Sequence, residues 1–302
     1  MTVELMQETW PGVIGTVTIG ATPDDGGTRG SIVTVGGHAA LPFRDEDAPS
    51  PHPPVVALQV FDAVPDWPDQ LKGPLAEVID SPADWARMGA EQLGVELILL
   101  RLMSVHPEVR GGSVDEAVKT VRSVLEAVDV PLIIAGCGEA DADNELWPAV
   151  TEAARGENCL VGMGEPDNYK TLVVACMADG HSAIAQAPID VNIQKQLTIL
   201  MTEMGLPSDR IVMLPGDASL GYGIESEYSS RERIRMAALQ GDALLAPPGL
   251  AVVGEQARKA KEARLTEEEA PGWGDATMRG PAWEAATAAL FLQAGTDIVA
   301  LL

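Results

Sequence analysis

Eight short apolar segments recur along this chain, and each is followed by loop residues and then by a segment with helical periodicity. Almost every residue within these segments is apolar, whereas a strand with one solvent-facing side would alternate apolar and polar residues. The pattern is therefore typical of parallel strands that are buried on both faces. The eight predicted strands are residues 55–60, 97–102, 132–135, 159–162, 183–187, 211–214, 250–253 and 298–302.

The segments between these strands have apolar residues at the 3- and 4-residue spacing of amphipathic helices. Residues 114–128 follow Ser113, which we predict to be the N-cap, with Glu116 close behind it. Residues 193–204 end at Gly205, and Pro207 two positions later cannot continue a helix. The same pattern predicts helices over residues 169–178, 231–239 and 282–293.

Eight such units in 302 residues fit a (β/α)8 TIM barrel, an α/β fold, better than the alternative of an open doubly wound sheet. We predict the barrel over residues 54–302 and an N-terminal extension over residues 1–53. Within the extension, residues 13–19 and 31–35 predict a β-hairpin, with a turn at residues 24–27. The sequence stops on the eighth strand, so we expect the final helix to be missing. Either the chain is truncated, or the extension or a partner covers that face.

The charge balance excludes several classes of function. With 20 basic and 45 acidic residues the net charge is −25, which argues against nucleic acid and against anionic membrane surfaces. Three cysteines without a C-x-x-C pair predict neither a disulfide framework nor a metal or iron–sulfur site within this chain. No signal peptide or membrane-length apolar run is visible, so we expect a cytoplasmic protein.

The ligand-binding face of a (β/α)8 barrel lies at the C-terminal ends of its strands. Three of the candidates there have an alternative role. Asp190 could bind a ligand or cap the following helix. Cys137, between two glycines, could lie against a ligand or be a small buried side chain. Tyr222 could stack on a flat ligand or hold its own loop. The candidate site residues are Asp62, Gly136, Cys137, Gly138, Asn168, Asp190, Asn192, Gly221, Tyr222 and Gly223.

No recognised catalytic motif accompanies these candidates. The segment at residues 179–181 is similar to the start of the D-x-H-x-x-G motif that ligates cobalt through histidine. However, residue 184 is Ile rather than Gly, and Gly180 is a predicted helix C-cap. A P-loop, a first-turn G-x-G-x-x-G and a G-x-S-x-G elbow are all missing from the sequence. The residues by themselves indicate an acidic barrel with a polar, glycine-rich face and no self-contained catalytic set.

Ordered segments across nearly the whole chain carry a family resemblance. They are GATPDDGGTRG with VGGHAALPF (20–43), VPDWPDQLKGP (64–74), GCG (136–138), NYK (168–170), PIDVNIQKQLTILMTEMGLP (188–207), SLGYGIE (219–225), RERIRMAALQGD (231–242) and PGWG (271–274). In these segments the chain resembles the small (delta) subunit of the corrinoid iron–sulfur protein. That subunit is the TIM-barrel component of the acetyl-CoA synthase/CO dehydrogenase system.

The resemblance implies a non-catalytic or co-catalytic subunit that pairs with a large corrinoid iron–sulfur subunit. A cobamide would be held between the two, with the candidate residues facing it and the iron–sulfur cluster in the large subunit. Methyl groups would arrive from methyltetrahydrofolate methyltransferase and leave to acetyl-CoA synthase/CO dehydrogenase. The alternative is a free-standing pterin-dependent methyltransferase of the same barrel superfamily, in which Asp190 and Asn192 would hydrogen-bond the pterin.

Overall fold

The computed structural model describes residues 6–216 and 218–302. The strands are β1 (Thr16–Ile19), β2 (Val33–Gly36), β3 (Val55–Phe61), β4 (Leu97–Arg101), β5 (Leu132–Ala135), β6 (Leu160–Gly164), β7 (Ser182–Gln186), β8 (Ile211–Leu214), β9 (Leu250–Val252) and β10 (Ile298–Leu301). The α-helices are α1 (Asp69–Lys72), α2 (Pro82–Met88), α3 (Val114–Ala127), α4 (Ala140–Ala153), α5 (Tyr169–Asp179), α6 (Val191–Glu203), α7 (Ile224–Leu239), α8 (Val253–Lys259), α9 (Lys261–Arg264) and α10 (Ala276–Gln293).

Strands β3 to β10 form one parallel sheet in the order β8-β7-β6-β5-β4-β3-β10-β9. A parallel bridge between Met213 on β8 and Gly249, which precedes β9, brings the two ends of this sheet together. The eight strands agree with the predicted segments to within two residues at each end. The prediction of a TIM barrel is therefore confirmed, and the open-sheet alternative is wrong.

The predicted hairpin is also confirmed, as the antiparallel pair β1–β2. Its four buried valine and isoleucine side chains belong to the same apolar cluster as the barrel interior. Asn158, which precedes β6, donates hydrogen bonds to the carbonyl oxygens of Thr18 and Gly20 at 2.9 and 3.1 Å. Gly15 donates to the carbonyl of Ala246, which precedes β9, at 2.7 Å. The hairpin thus closes the N-terminal end of the barrel.

Two helix boundaries follow the predicted local chemistry, whereas α7 and α10 begin at Ile224 and Ala276, earlier than the predicted residues 231 and 282. Ser113 Oγ accepts from the Glu116 amide at 3.3 Å, and the Glu116 carboxylate accepts from the Ser113 amide at 3.2 Å, which completes a capping box at α3. Helix α5 ends at Gly180, whose φ of 81° is the left-handed conformation typical of a glycine C-cap. No helix within the described ranges is long and apolar enough to span a membrane.

One apolar side chain on the outer side of the barrel stays uncovered. Val56 on β3 is 42% exposed, whereas Leu58 and Val60 further along the same side of the strand are buried. No helix follows β10 among residues 6–216 and 218–302. Val56 is therefore an uncovered apolar position on the outer side of β3.

Candidate functional site

The turn after β5 is built around a buried carboxylate. Asp143, in the first turn of α4, accepts hydrogen bonds from the Cys137 amide at 2.7 Å and the Gly138 amide at 3.0 Å. A Cβ on Gly136 would lie 2.3 Å from Asp143 Oδ1. Gly136 is therefore required by a contact within the chain itself. Asp143 is not among the sequence-based candidates, although a carboxylate six residues after a glycine-rich turn is a usable signal.

Cys137 is a small buried side chain, which is the second of its two predicted roles. The residue is 4% exposed, and burial, with the nearby Asp143 charge, raises the pKa of its thiol to about 12. The thiol therefore stays protonated and unreactive near neutral pH. Cys159 and Cys176 are likewise free and buried.

His181 is a structural residue, in agreement with the interpretation of residues 179–181. Its Nδ1 accepts from the Cys159 amide at 3.0 Å, and its Nε2 lies 3.0 Å from the Thr151 carbonyl oxygen. Burial lowers the pKa of this imidazole, so the neutral form fits these two contacts.

Asp62 connects the loops that follow β3 and β4. One carboxylate oxygen accepts from the Ser104 amide at 2.9 Å, and the other accepts from the Ser104 hydroxyl. Burial raises the pKa of Asp62, and the hydrogen bonds from Ser104 oppose that rise. The side chain therefore holds two loops at the C-terminal end of the barrel in place.

The other polar candidates also make local contacts. Asn168 accepts from the Glu165 amide at 2.7 Å and closes the turn before α5. Asp190 Oδ1 accepts from the amides of Asn192 and Ile193 at 2.7 and 3.2 Å, so the helix-cap alternative is confirmed for α6. The Asn192 side chain is exposed on the first turn of that helix.

The loop after β8 is fastened to its neighbours by Tyr222. The Tyr222 hydroxyl donates to the Glu262 carboxylate at 2.9 Å and accepts from the Lys261 amide at 2.9 Å. Trp283 holds the same loop by donating to the Leu220 carbonyl oxygen at 2.8 Å. Tyr222 therefore holds its loop, while the residue remains 49% exposed.

Gly221 and Gly223 have φ angles of 78° and 96°, a region that side chains with a Cβ rarely adopt. A Cβ on Gly223 would meet nothing within 4 Å, and one on Gly221 would meet only Trp283, at 3.7 Å. Backbone conformation rather than crowding within the chain therefore explains these two glycines.

A polar cluster that is absent from the sequence-based candidates lies inside the C-terminal end of the barrel. It consists of Gln59 at β3, Arg101 at the end of β4 and Glu255 in the first turn of α8; we call it the mouth cluster. Gln59 Nε2 donates to Glu255 at 3.4 Å, and Arg101 Nε lies 4.0 Å from the same carboxylate. Burial opposes ionisation of Glu255, but the charges of Arg101 and Lys259 outweigh it and hold the pKa of Glu255 below its ordinary value.

Large apolar side chains are exposed around this end of the barrel. They lie in the loop after β4, the loops after β7 and β8, and the connection and first turn of α10; we call them the apolar rim. The rim consists of Val109, Ile189, Tyr222, Trp273 and Met278, which are 46%, 40%, 49%, 55% and 60% exposed. Exposed apolar side chains gathered at one face are typical of a surface that binds a ligand or another protein.

Comparison with solved structures agrees with the barrel fold. A dihydropteroate synthase of Xanthomonas albilineans superimposes with a TM-score of 0.55 at 12% sequence identity, covering 82% of this chain and 87% of that one. A dihydropteroate synthase of Coxiella burnetii superimposes with a TM-score of 0.50 at 12% identity, again covering 82% and 87%. At such identity the likeness concerns the fold alone. The fold and its C-terminal face define a (β/α)8 barrel with exposed apolar side chains at that face.

Sequence comparison identifies the family within this class. A family model described as the CO dehydrogenase/acetyl-CoA synthase delta subunit matches residues 16–293. The chain is 36% identical over 300 residues to the acetyl-CoA decarbonylase/synthase complex subunit delta of Archaeoglobus fulgidus, covering 98% of this chain and 66% of that protein. It is 37% identical over 292 residues to the subunit of the same name from Methanopyrus kandleri, covering 95% and 71%. The chain belongs to this delta subunit family and spans about two thirds of the length of these relatives.

Proposed function

We propose that this chain is the small subunit of a heterodimeric corrinoid iron–sulfur methyl carrier of the acetyl-CoA (Wood–Ljungdahl) pathway. Its C-terminal face then covers one side of a cobamide, and a large subunit supplies the other contacts and the iron–sulfur cluster. When bound, the cobamide supplies a cobalt that carries a methyl group from methyltetrahydrofolate methyltransferase to acetyl-CoA synthase/CO dehydrogenase. The role of this chain is to bind and shield that ligand.

The apolar rim is the observation that carries the proposal. A corrin is a broad, flat ring with apolar faces and polar side chains at its edge. The rim spreads exposed apolar side chains over several loops at one end of the barrel, and the mouth cluster places polar side chains inside the same end. A flat ligand shared with a second chain fits such an open surface better than a small substrate does, because small substrates usually occupy enclosed clefts.

The hydrogen bonds that the aspartate side chains of this face accept favour a binding role over a catalytic one. Asp62, Asp143 and Asp190 each accept two hydrogen bonds from backbone or hydroxyl groups of the chain itself. A general base must reach a substrate proton within hydrogen-bond distance. Of the three, only Asp190 is exposed, and its Oδ1 already caps α6. This weighs against the alternative of a free-standing pterin-dependent methyltransferase.

Co-expression with a candidate large subunit tests the proposal. We expect a stable complex with the visible absorption of a bound corrinoid, and little corrinoid retained by this chain alone. Methyl transfer from methyltetrahydrofolate to free cobalamin by the isolated chain would refute the proposal and support the methyltransferase.

Rim variants with a matched control locate the binding face. Ile189→Glu and Met278→Glu each place a charge on the rim, and we expect either to reduce corrinoid retention or complex formation. Leu93→Glu is the control, since Leu93 is 61% exposed but precedes β4, at the opposite end of the barrel. Equal losses for the control and the rim variants would show that the C-terminal face is not the binding surface.

A further inference from the structure

We propose that the mouth cluster binds one primary carboxamide group, whose NH2 donates to Gln59 Oε1 and whose oxygen accepts from Arg101 Nε. The inference rests on the proposed function, because the corrin edge carries primary carboxamides. It adds which group of the ligand enters the barrel and which side chains receive it.

The cluster has one acceptor and one donor that lack partners. Gln59 is fully buried, yet its Oε1 has no hydrogen-bond partner within the described residues. Arg101 Nε is likewise unpartnered there, and its side chain is only 12% exposed. Buried polar atoms without partners are uncommon, since each costs about 1–3 kcal/mol. A ligand that satisfies both atoms would remove that cost.

The existing contacts of Arg101 are weak, because its two contacts to oxygen are long and the third is to a thioether sulfur, which is a weak acceptor. Nη1 lies 3.3 Å from the Met163 sulfur, Nη2 lies 3.4 Å from the Cys137 carbonyl oxygen, and Nε lies 4.0 Å from the Glu255 carboxylate. Charge-assisted hydrogen bonds of guanidinium groups are usually about 2.7–2.9 Å. Arg101 therefore has a fixed position and capacity for a stronger acceptor.

The neighbouring charges select the kind of group. A carboxylate would supply acceptors for Arg101 but no donor for Gln59, and it would approach Glu255. An ammonium group would supply donors for Gln59 and Glu255 but would face Arg101. A carboxamide is neutral and carries a donor and an acceptor on one planar unit. Of these three groups, it is the one that satisfies both atoms without adding a charge beside the Arg101–Glu255–Lys259 set.

A primary carboxamide could come from the corrin edge or from an asparagine or glutamine of the large subunit. The test uses the co-expressed complex, with Gln59→Leu and Arg101→Met. Each is titrated with cobalamin and with cobalamin derivatives in which a single peripheral carboxamide is hydrolysed to a carboxylate. For a corrin carboxamide, we expect cobalamin to bind about tenfold more weakly to Gln59→Leu and about 10- to 100-fold more weakly to Arg101→Met.

The coupling between protein and ligand changes is the decisive result. One derivative should bind the wild-type complex about tenfold more weakly than cobalamin does, and Gln59→Leu should no longer distinguish the two. Weaker association of the two subunits without corrinoid, and no such coupling, would assign the carboxamide to the large subunit and overturn the corrin assignment. Unchanged corrinoid binding and subunit association in both variants would overturn the carboxamide site itself.

Two further measurements distinguish a failure of the carboxamide site from misfolding and from a failure of the proposed function. Gln59→Leu removes an unpartnered buried oxygen, which favours stability, and also the long 3.4 Å bond from Nε2 to Glu255, which opposes it. The urea midpoint of the isolated variant chain should therefore stay close to that of the wild type. A large fall in the urea midpoint would show that any loss of binding results from misfolding, and it would overturn the assignment of Gln59 Oε1 as unpartnered. A wild-type complex that retains no corrinoid would refute the proposed function, whereas retention without coupling would refute this inference alone.

Discussion

The turn after β5 should depend strongly on Asp143. Asp143→Ala removes the acceptor of two amides, the buried amide of Cys137 and the part-buried amide of Gly138. A hydrogen bond to a charged group contributes about 1.5–3 kcal/mol, so the gross loss is about 3–6 kcal/mol. Burial raises the pKa of Asp143, so the ionised carboxylate carries a desolvation cost that the truncation removes. We therefore expect a net loss of about 2–4 kcal/mol, a large part of the stability of a typical domain.

Urea unfolding of the isolated chain measures this loss as a lower midpoint at an unchanged slope. Asp143→Asn keeps one acceptor oxygen and should fall between Asp143→Ala and the wild type. Asp141→Ala is the matched control, because Asp141 lies in the same first turn of α4 but is exposed, and its cost should stay within about 0.5 kcal/mol. A cost below about 1 kcal/mol for Asp143→Ala would refute the role of this carboxylate in holding the turn.

Three further outcomes follow from the structure. Burial raises the pKa of Glu284 from 4.5 to about 7, so stability tied to its neutral form is complete below pH 4.5 and is lost as the pH rises through 7. The free energy of unfolding of Glu284→Gln, relative to that of the wild type, should therefore rise by about 3 kcal/mol between about pH 4 and pH 9. Urea unfolding at each pH measures this difference, and a difference that does not change with pH would contradict the prediction. Gly223→Ala should lower the free energy of unfolding by about 1–2 kcal/mol because of its positive φ. Gly223→Leu should cost little more in the isolated chain, since a Cβ there meets no atom within 4 Å. A larger loss of corrinoid retention for Gly223→Leu than for Gly223→Ala would place this loop against the ligand or the partner. The thiol of Cys137 should react with a disulfide reagent only at the rate of unfolding, and fast labelling of the native chain would contradict its assignment as buried.

The barrel could be predicted because its strands are buried on both faces. Burial on both faces leaves almost no polar residue within a strand, so short apolar segments such as residues 211–214 stand out from the sequence. Their number and spacing then determine the fold class. The hairpin was predictable for a different reason, since its alternating pattern and the glycine-containing turn are local signals.

The start of α7 could not be predicted from periodicity. The helix was predicted from residue 231, but it begins at Ile224. Its first two turns bury charged residues, because Arg231 pairs with Glu227 and donates to the Leu250 carbonyl at 2.9 Å. A buried ion pair contributes no apolar stripe, so the hydrophobic pattern starts only after it.

Contacts at the candidate site were predictable only where they are local. Asp190 caps α6 through amides two and three residues away, and helix-cap chemistry indicates such contacts. The bond from Ser104 to Asp62 spans 42 residues, and that from Gln59 to Glu255 spans 196. Side chains that meet across such separations depend on the closure of the barrel. No spacing rule within one segment could have indicated the mouth cluster.

The polar and apolar residues of the C-terminal face have different roles in this protein. Asp62, Asp143 and Asp190 accept hydrogen bonds from amides and a hydroxyl of the chain, and these bonds hold the loops in place. The groups that remain available to another molecule are the apolar rim and the unpartnered atoms of the mouth cluster. A face with fixed loops and exposed apolar side chains is preorganised to bind a large molecule at little entropic cost. For this reason we expect substitutions in the rim and the mouth cluster to affect binding, and substitutions of Asp62 and Asp143 to affect stability first.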